Sequence, residues 1–379
     1  MDFDCPSWPP DWPEISEAIS SSLVSGDWGR YHSPICQAFQ TRLQSLFGGG
    51  QVRLCCSGTA ALELALRSAK VGVGDEVILA AYDYPGNLRT IELLGAKPVL
   101  LDVSPGRLVF DSEAIGAFAS GHTSGQVKAV VVSHLFGEMA DAMAVREVCE
   151  QNGWVLIEDV CQSFGAGWRF EEPACDQPSP DRAKVRLAGT VGHLSTFSFG
   201  GSKLLTAGAG GALLINDGPL AARINSWIER PGEVYPMSPL QAAVLGPQLD
   251  RFEELRALRN ENWRQLRQHR CEGFSRWQWF GGNQAGIIAN PYKIAWAAES
   301  KEQRMEIVRL AEQRGIPIGS GYRSFAKVSA KRCLKIGACE EAARLGERLF
   351  VLDQRALLVE HGRMENLLAA MDSIYSELT

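Results

Sequence analysis

Long hydrophobic runs are missing from this chain of 379 residues. Its apolar stretches are short, as at residues 129–132 (AVVV), far below the ~20 residues that span a bilayer, which excludes a transmembrane helix. A basic stripe is missing too. The 38 Lys and Arg stand against 44 Asp and Glu, a formal charge of −6 with both signs mixed, which argues against a nucleic-acid binder. Histidine is scarce, with six residues and no HExxH pattern. The ten cysteines, at 5, 36, 55, 56, 149, 161, 175, 271, 333 and 339, form no CxxC pair, and none lies at zinc-finger spacing from a histidine. No metal is therefore expected, and the cysteines read as reduced thiols that pack like small hydrophobes. The opening MDFDCPSWPP is acidic and broken by prolines, unlike a secretory leader, so a cytoplasmic protein is expected. Internal repeats are absent.

What is present is globular composition, 45% hydrophobic and 22% charged. A chain of this length buries roughly 75% of its unfolded surface, so it needs neither disulfides nor metal for stability. Two units are expected: an N-terminal arm with a large α/β domain over residues 1–240, and a smaller C-terminal α+β domain over 241–379. Between 50 and 220, helical and strand patterns alternate. Residues 59–70 (TAALELALRSAK) read as a helix, 76–81 (EVILAA) as a strand, 87–94 as a short helix and 98–103 (PVLLDV) as the next strand. Further strands are expected at 129–133, 155–159 (VLIED), 195–199 (STFSF) and 212–215, with an amphipathic helix over 140–151. Near-continuous apolar strands separated by helices indicate a mostly parallel sheet covered on both faces, with ligands at the carboxyl ends of its strands. After Asp217 the texture changes. Residues 238–269 are charged and helix-prone, with Pro247 expected to kink or interrupt them, and more helices are expected near 301–314, 340–350 and 364–378. Residues 170–186 (FEEPACDQPSPDRAKVR) read as an exposed insertion.

Two phosphate motifs fail on context. Gly200-Gly201-Ser202-Lys203-Leu204 lacks the hydroxyl that a P-loop needs after its lysine, and Gly208-Ala209-Gly210-Gly211 precedes a strand, whereas a dinucleotide fingerprint follows one. Cys56-Ser57-Gly58-Thr59 is better placed, between a short apolar run and a helix. Ser57 there is either a plain N-cap or part of a phosphate cup that uses the free N–H groups and the positive helix end. Asp159 ends an apolar strand, where it either caps a loop or meets something cationic. Gln162 follows three residues later. Ser198 and Lys203 lie five residues apart just past a strand; a surface lysine is the ordinary reading, but glycine, serine and apolar neighbours suggest a partly buried amine. Together these parts suit pyridoxal 5'-phosphate, which needs a lysine for its aldehyde, a carboxylate for its pyridine nitrogen, a phosphate cup and an aromatic against its ring. Tyr82 and Tyr84 can supply the last.

In this order the pieces resemble the DegT/DnrJ/EryC1/StrS family, the sugar aminotransferases of pyridoxal phosphate fold type I. The pieces are CCSGTAALELAL, VGDEVILAAYDYPGN, LGAKPVLLDV, SHLFGEMADA, LIEDVCQSFGA, GHLSTFSFGGSKLLTAGAGGALLIND and YPMSPLQAAVLGPQLDRFEEL. The similarity runs from Gly26 to about Leu352 and is densest over 53–217. It implies a large domain with a mostly parallel sheet and a smaller C-terminal α+β domain. It implies that Lys203 binds the cofactor aldehyde and shuttles the proton, that Asp159 meets the pyridine nitrogen, and that Gln162 meets the ring hydroxyl. Ser57, Gly58, Thr59 and Ser198 would hold the phosphate, Tyr84 would stack on the ring, and Tyr82 would lie nearer the substrate. Active sites of the family lie between two subunits, so a homodimer is implied, with residues 28–31 near the partner's cofactor.

This chain departs from the family pattern in four places. Gly208-Ala209-Gly210-Gly211 stands where GEGG is common, and Glu233-Val234-Tyr235-Pro236 where an Asn from the partner is frequent. The 170–186 insertion replaces a short connection, and residues 315–329 carry Tyr322 and Arg323 but no histidine. The leading reading is transamination from glutamate or a similar amine donor to a keto sugar or related cyclic ketone. Alternatives are an enzyme of the same family acting on a cyclitol or aromatic-amine precursor, a dehydratase, and a non-catalytic cofactor-binding regulator. Lys203 speaks against the dehydratase, which has histidine there, and the lack of a basic helix-turn-helix speaks against the regulator.

Overall fold

The computed structural model describes residues 3–122, 124–171, 183–228, 233–269, 277–281, 286–360 and 362–378. Helices α1 (Pro13–Ser25) and α2 (Pro34–Leu46) each begin on a proline, whose missing N–H falls where no intrahelical partner exists. The chain then alternates through β1 (Gln51–Cys55), α3 (Gly58–Ser68), β2 (Glu76–Ala80), α4 (Pro85–Leu93), β3 (Lys97–Leu101), α5 (Ser112–Gly121), β4 (Val127–Ser133), α6 (Ala142–Asn152) and β5 (Val155–Asp159). A hairpin of β6 (Gly167–Glu171) and β7 (Ala183–Leu187) follows, then β8 (Leu194–Ser198), β9 (Gly211–Ile215) and α7 (Gly218–Ile228). Next come α8 (Pro239–Asp250), α9 (Phe252–Gln268), β10 (Gln278–Phe280), β11 (Ile287–Ile288), β12 (Lys293–Ala297) and α10 (Lys301–Gln313). The last elements are β13 (Ile318–Ser320), β14 (Leu334–Ile336), α11 (Glu340–Arg348), β15 (Leu349–Asp353) and α12 (Met364–Leu378).

The large sheet has eight strands in the order β1-β9-β8-β5-β4-β2-β3-β14. β9 runs against both neighbours and every other pair is parallel, so the expected mostly parallel sheet is present. β2 and β9 are buried at every position, as strands with helices on both faces must be, and Val, Ile, Leu and Ala fill most of them. A second, antiparallel sheet, β10-β12-β15-β13, packs with α10 and α12 around Trp277, Trp296 and Phe350. The late strand β14 returns to the edge of the large sheet beside β3. Among the described residues no helix is long and apolar enough to cross a membrane.

Three local expectations change. The helix expected over 340–350 ends at Arg348, because Leu349-Phe350-Val351-Leu352 is the central strand of the small sheet, paired on both edges. Pro247 lies within α8, and the break falls later, at Arg251 between α8 and α9. The ends of the 170–186 insertion are strand: Phe170 pairs with Lys184 and Glu171 with Ala183, while residues 172–182 lie outside the described residues. Cross-strand pairing overrides a composition that reads as loop.

Candidate active site

The carboxyl ends of β2, β5 and β8 and the start of α3 converge on one cavity of about 220 Å³. The eight residues assigned to the cofactor from the sequence, Ser57, Gly58, Thr59, Tyr84, Asp159, Gln162, Ser198 and Lys203, all line it. So do Asn87, Cys161, Thr196, Gly200 and the 208–210 turn, which sequence reasoning did not assign.

The turn from β1 into α3 is built for close approach. Ser57 is the N-cap, its Oγ accepting the Ala60 N–H at 3.0 Å. The N–H groups of Gly58 and Thr59, at the first two helical positions, have no carbonyl within the helix to bond and carry the positive end of its dipole. Gly58 is tightly enclosed: a Cβ there would stand 2.8 Å from Ser198 Cβ and 3.1 Å from Cys161 Sγ. Gly211 is tighter, since a methyl group would meet the Ser57 carbonyl at 2.4 Å. Neither position tolerates a side chain.

At the end of β5, two adjacent carboxylates face opposite surroundings. Glu158 is fully buried and is held by His134 Nε2 at 3.0 Å and by the N–H groups of Gly189, Val191 and Gly192. Burial pushes its carboxyl up, but His134 and those donors outweigh it and leave the group below its ordinary value. Asp159 faces the cavity, with Oδ1 accepting the Cys161 N–H at 3.0 Å and Oδ2 the Asn87 amide at 2.8 Å. Behind Asn87 lie Ser133 and Asp83, whose carboxylate accepts the Tyr84 N–H at 2.6 Å and the Ser133 hydroxyl at 2.8 Å. The signal for this cluster was legible in principle: Asp83 and Asn87 are polar residues four apart just beyond a fully buried strand.

Lys203 follows β8 in a turn closed by its own N–H to the Gly200 carbonyl at 2.9 Å. Phe197, Phe199, Leu204 and Leu205 are buried around it and fix that loop to the core. Burial pushes the Lys203 amine below its ordinary value, and its Nζ lies 4.4 Å from the centre of the Tyr292 ring. Gln162 is oriented from behind: its Oε1 accepts the Phe136 N–H at 3.1 Å, so its amide group points to the Tyr322 hydroxyl at 3.3 Å. Tyr322 stacks on Phe136 at 5.2 Å and meets Tyr84 edge-on at 5.8 Å. Tyr84 leans over Gly86, where a Cβ would come within 2.3 Å of its ring. Tyr82 departs from its expected place toward the substrate. It is wholly buried, and its hydroxyl accepts the Tyr322 N–H at 2.9 Å, so it anchors the C-terminal loop beneath the cavity.

Against known proteins, residues 12–361 match the model of the DegT/DnrJ/EryC1/StrS aminotransferase family. An L-glutamine:2-deoxy-scyllo-inosose aminotransferase of Streptoalloteichus tenebrarius is 30% identical over 97% of this chain and 94% of its own length. A 3-amino-5-hydroxybenzoate synthase of Amycolatopsis mediterranei is 29% identical over 88% of this chain and 86% of its own. Among solved structures, a 3-amino-5-hydroxybenzoic acid synthase superposes with a TM-score of 0.83 at 23% identity, over all of both chains. Spr1654 of Streptococcus pneumoniae in its PMP form superposes at 0.84 and 18% identity, over 100% of this chain and 98% of that one. A family match spanning nearly the whole chain and a relative aligned end to end agree with the fold: the chain belongs to the DegT/DnrJ/EryC1/StrS aminotransferase family.

Proposed function

We infer that this aminotransferase holds pyridoxal 5'-phosphate in the 220 Å³ cavity and moves an amino group from L-glutamine to a six-membered cyclic polyhydroxy ketone. The observation that carries the reading is the convergence of a buried amine, a tethered carboxylate and a glycine-walled helix start on one cavity. The residues fit the cofactor. The missing side chain at Gly58 lets the start of α3 pack directly against Ser198 and Cys161 in the cavity wall, and its free N–H groups and the helix dipole favour an anion there. Ser57 and Ser198 add hydroxyls, and Tyr84 offers a ring to the cavity.

When bound, the cofactor supplies an electron sink for the pair of electrons left as the amine-bearing carbon loses its proton. The chain's own groups do the rest. Asp159, held at both oxygens, would set its carboxylate against the pyridine nitrogen, and Gln162, held by Phe136, would offer its amide to the ring hydroxyl. Lys203 would hold the aldehyde, and its amine, whose basicity burial lowers, would be the group that takes and returns the proton. Support for the donor and the acceptor class comes from the relatives' names, among them a glutamine:2-deoxy-scyllo-inosose aminotransferase. The assembly proposed is a homodimer.

The test is a half-reaction. Cofactor-loaded protein should lose its visible absorbance on addition of L-glutamine alone, and recover it with a cyclitol ketone faster than with a nucleotide-linked keto sugar. Recovery only with the keto sugar overturns the acceptor class; no loss with any amino acid overturns the mechanism.

A further inference from the structure

Asp159 is not the only buried carboxylate at this end of the sheet. Asp83, one residue before Tyr84, is 1% exposed, and Asp159 is 6% exposed. One amide joins them. Asn87 Nδ2 donates to Asp159 Oδ2 at 2.8 Å and to Ser133 Oγ at 3.1 Å, and the Ser133 hydroxyl donates to Asp83 Oδ2 at 2.8 Å. The direct Asn87–Asp83 contact is longer, 3.4 Å. The amide can point only one way, since a flip would set its oxygen against the Asp159 carboxylate.

As a structural device this arrangement is poor. Asp83 Oδ1 accepts the Tyr84 N–H, and Oδ2 accepts the Ser133 hydroxyl and the longer Asn87 contact; a neutral Asn would keep the first and could donate its amide to a turned Ser133 Oγ. A second buried carboxylate beside the first instead adds desolvation and like-charge repulsion. Charge placed at such a cost is explained by the group that it serves. We propose that Asp83 is a positioning residue for Asp159: through Ser133 and Asn87 it fixes the Asp159 carboxylate and sets a second negative charge behind it, favouring the protonated form of the cofactor's pyridine nitrogen. The inference rests on the reading of the site given above.

The ionisation of Asp83 sets the pH range in which that second charge is present. Burial first, and Asp159 second, push its carboxyl up to about 7. The titratable groups facing it are Asp159 from β5 and the phenols of Tyr82 and Tyr322, while Leu108, Val109, Phe110 and Val132 close the remaining side. Asp159 is thus the only carboxylate among these neighbours. A carboxyl whose value is raised on folding binds a proton in the folded state that the unfolded state has lost. Stability therefore falls as pH rises from about 4 to about 7, and stays lower above that window.

The experiment compares wild type with D83N and, in case D83N folds badly, with S133A. Without cofactor, D83N should melt at or above the wild-type temperature at pH 8 and lose the decline between pH 4 and 7. With pyridoxal phosphate its dissociation constant should rise about fivefold, and kcat should fall about tenfold while the KM for glutamine stays within about twofold, the pattern of an interaction that serves the transition state. S133A should move kcat and cofactor affinity in the same direction by less. A D83N that melts lower than wild type at pH 8 while keeping wild-type cofactor affinity and kcat makes Asp83 a structural prop and overturns the proposal. So does wild-type cofactor affinity and kcat in D83N, or in S133A should D83N not fold. Wild-type protein that binds no cofactor sinks the reading of the site and this proposal with it; a working wild type beside an unaltered D83N sinks this proposal alone.

Discussion

Asp159 and Lys203 show how a side chain's chemistry is set by what lies behind it. Replacing Asp159 by Asn leaves the Cys161 N–H an acceptor but turns one amide toward the Asn87 amide, donor against donor. That mismatch costs about 1 kcal/mol of stability, while the charge lost from the site lowers turnover by at least ~100-fold, because it acts mainly in the transition state. Melting and steady-state rates on a proven substrate, measured on the same D159N preparation, check the split; near-normal turnover would make Asp159 a structural cap. Lys203→Ala should still bind cofactor through the helix start, Ser198 and Asp159, yet lose its characteristic visible band. Its turnover should fall by more than the ~10²–10⁴ typical of general base assistance, because the covalent contribution goes as well. Ser57, Gly58, Thr59, Ser198 and Lys203 were legible because each stands in a short motif at a strand end. Asp83 and Asn87 left only a faint signal, two polar residues four apart beyond β2, because Ser133, which joins them, comes from a separate segment and meets them only when β2 and β4 pair.

The β6–β7 hairpin carries the prediction that belongs to elements. Glu171 pairs with Ala183, so the eleven residues 172–182 connect two positions directly opposite each other. Replacing them by Asn-Gly, which closes a two-residue hairpin with the twist its strands need, should leave the fold and the cofactor absorbance intact. Acceptor preference should shift, since connections carry specificity at little structural cost. A variant that fails to fold, or one with unchanged preference across a panel of ketones, contradicts this. The elements also show where periodicity misleads. The apolar run at 349–352 continues the pattern of α11, and only its place between β12 and β13 makes it a strand. Pro247 marks a helix defect in the sequence, yet α8 continues past it to Asp250.

For the whole molecule, the proposed homodimer is tested at the N-terminal arm. Leu23, Val24, Trp28 and Tyr31 are 52%, 90%, 51% and 99% exposed within nine residues, an apolar strip that water does not favour. Beside it, α1, α2 and α8 line a groove of about 490 Å³. Sedimentation of the wild type should give twice the 41.4 kDa chain mass, and W28A/Y31A should weaken the dimer and lower activity together. A stable, fully active wild-type monomer would contradict both. The alternation of apolar strands and helices, the direction of most strands and the motifs at their ends were determined by the sequence alone, because pattern and turn chemistry are local. Tertiary structure decided the rest: that β14 returns across more than two hundred residues to join β3, that Tyr82 anchors Tyr322, and that two carboxylates share one amide. Each of these joins residues far apart in the chain, and only the packed sheet brings them within hydrogen-bonding reach.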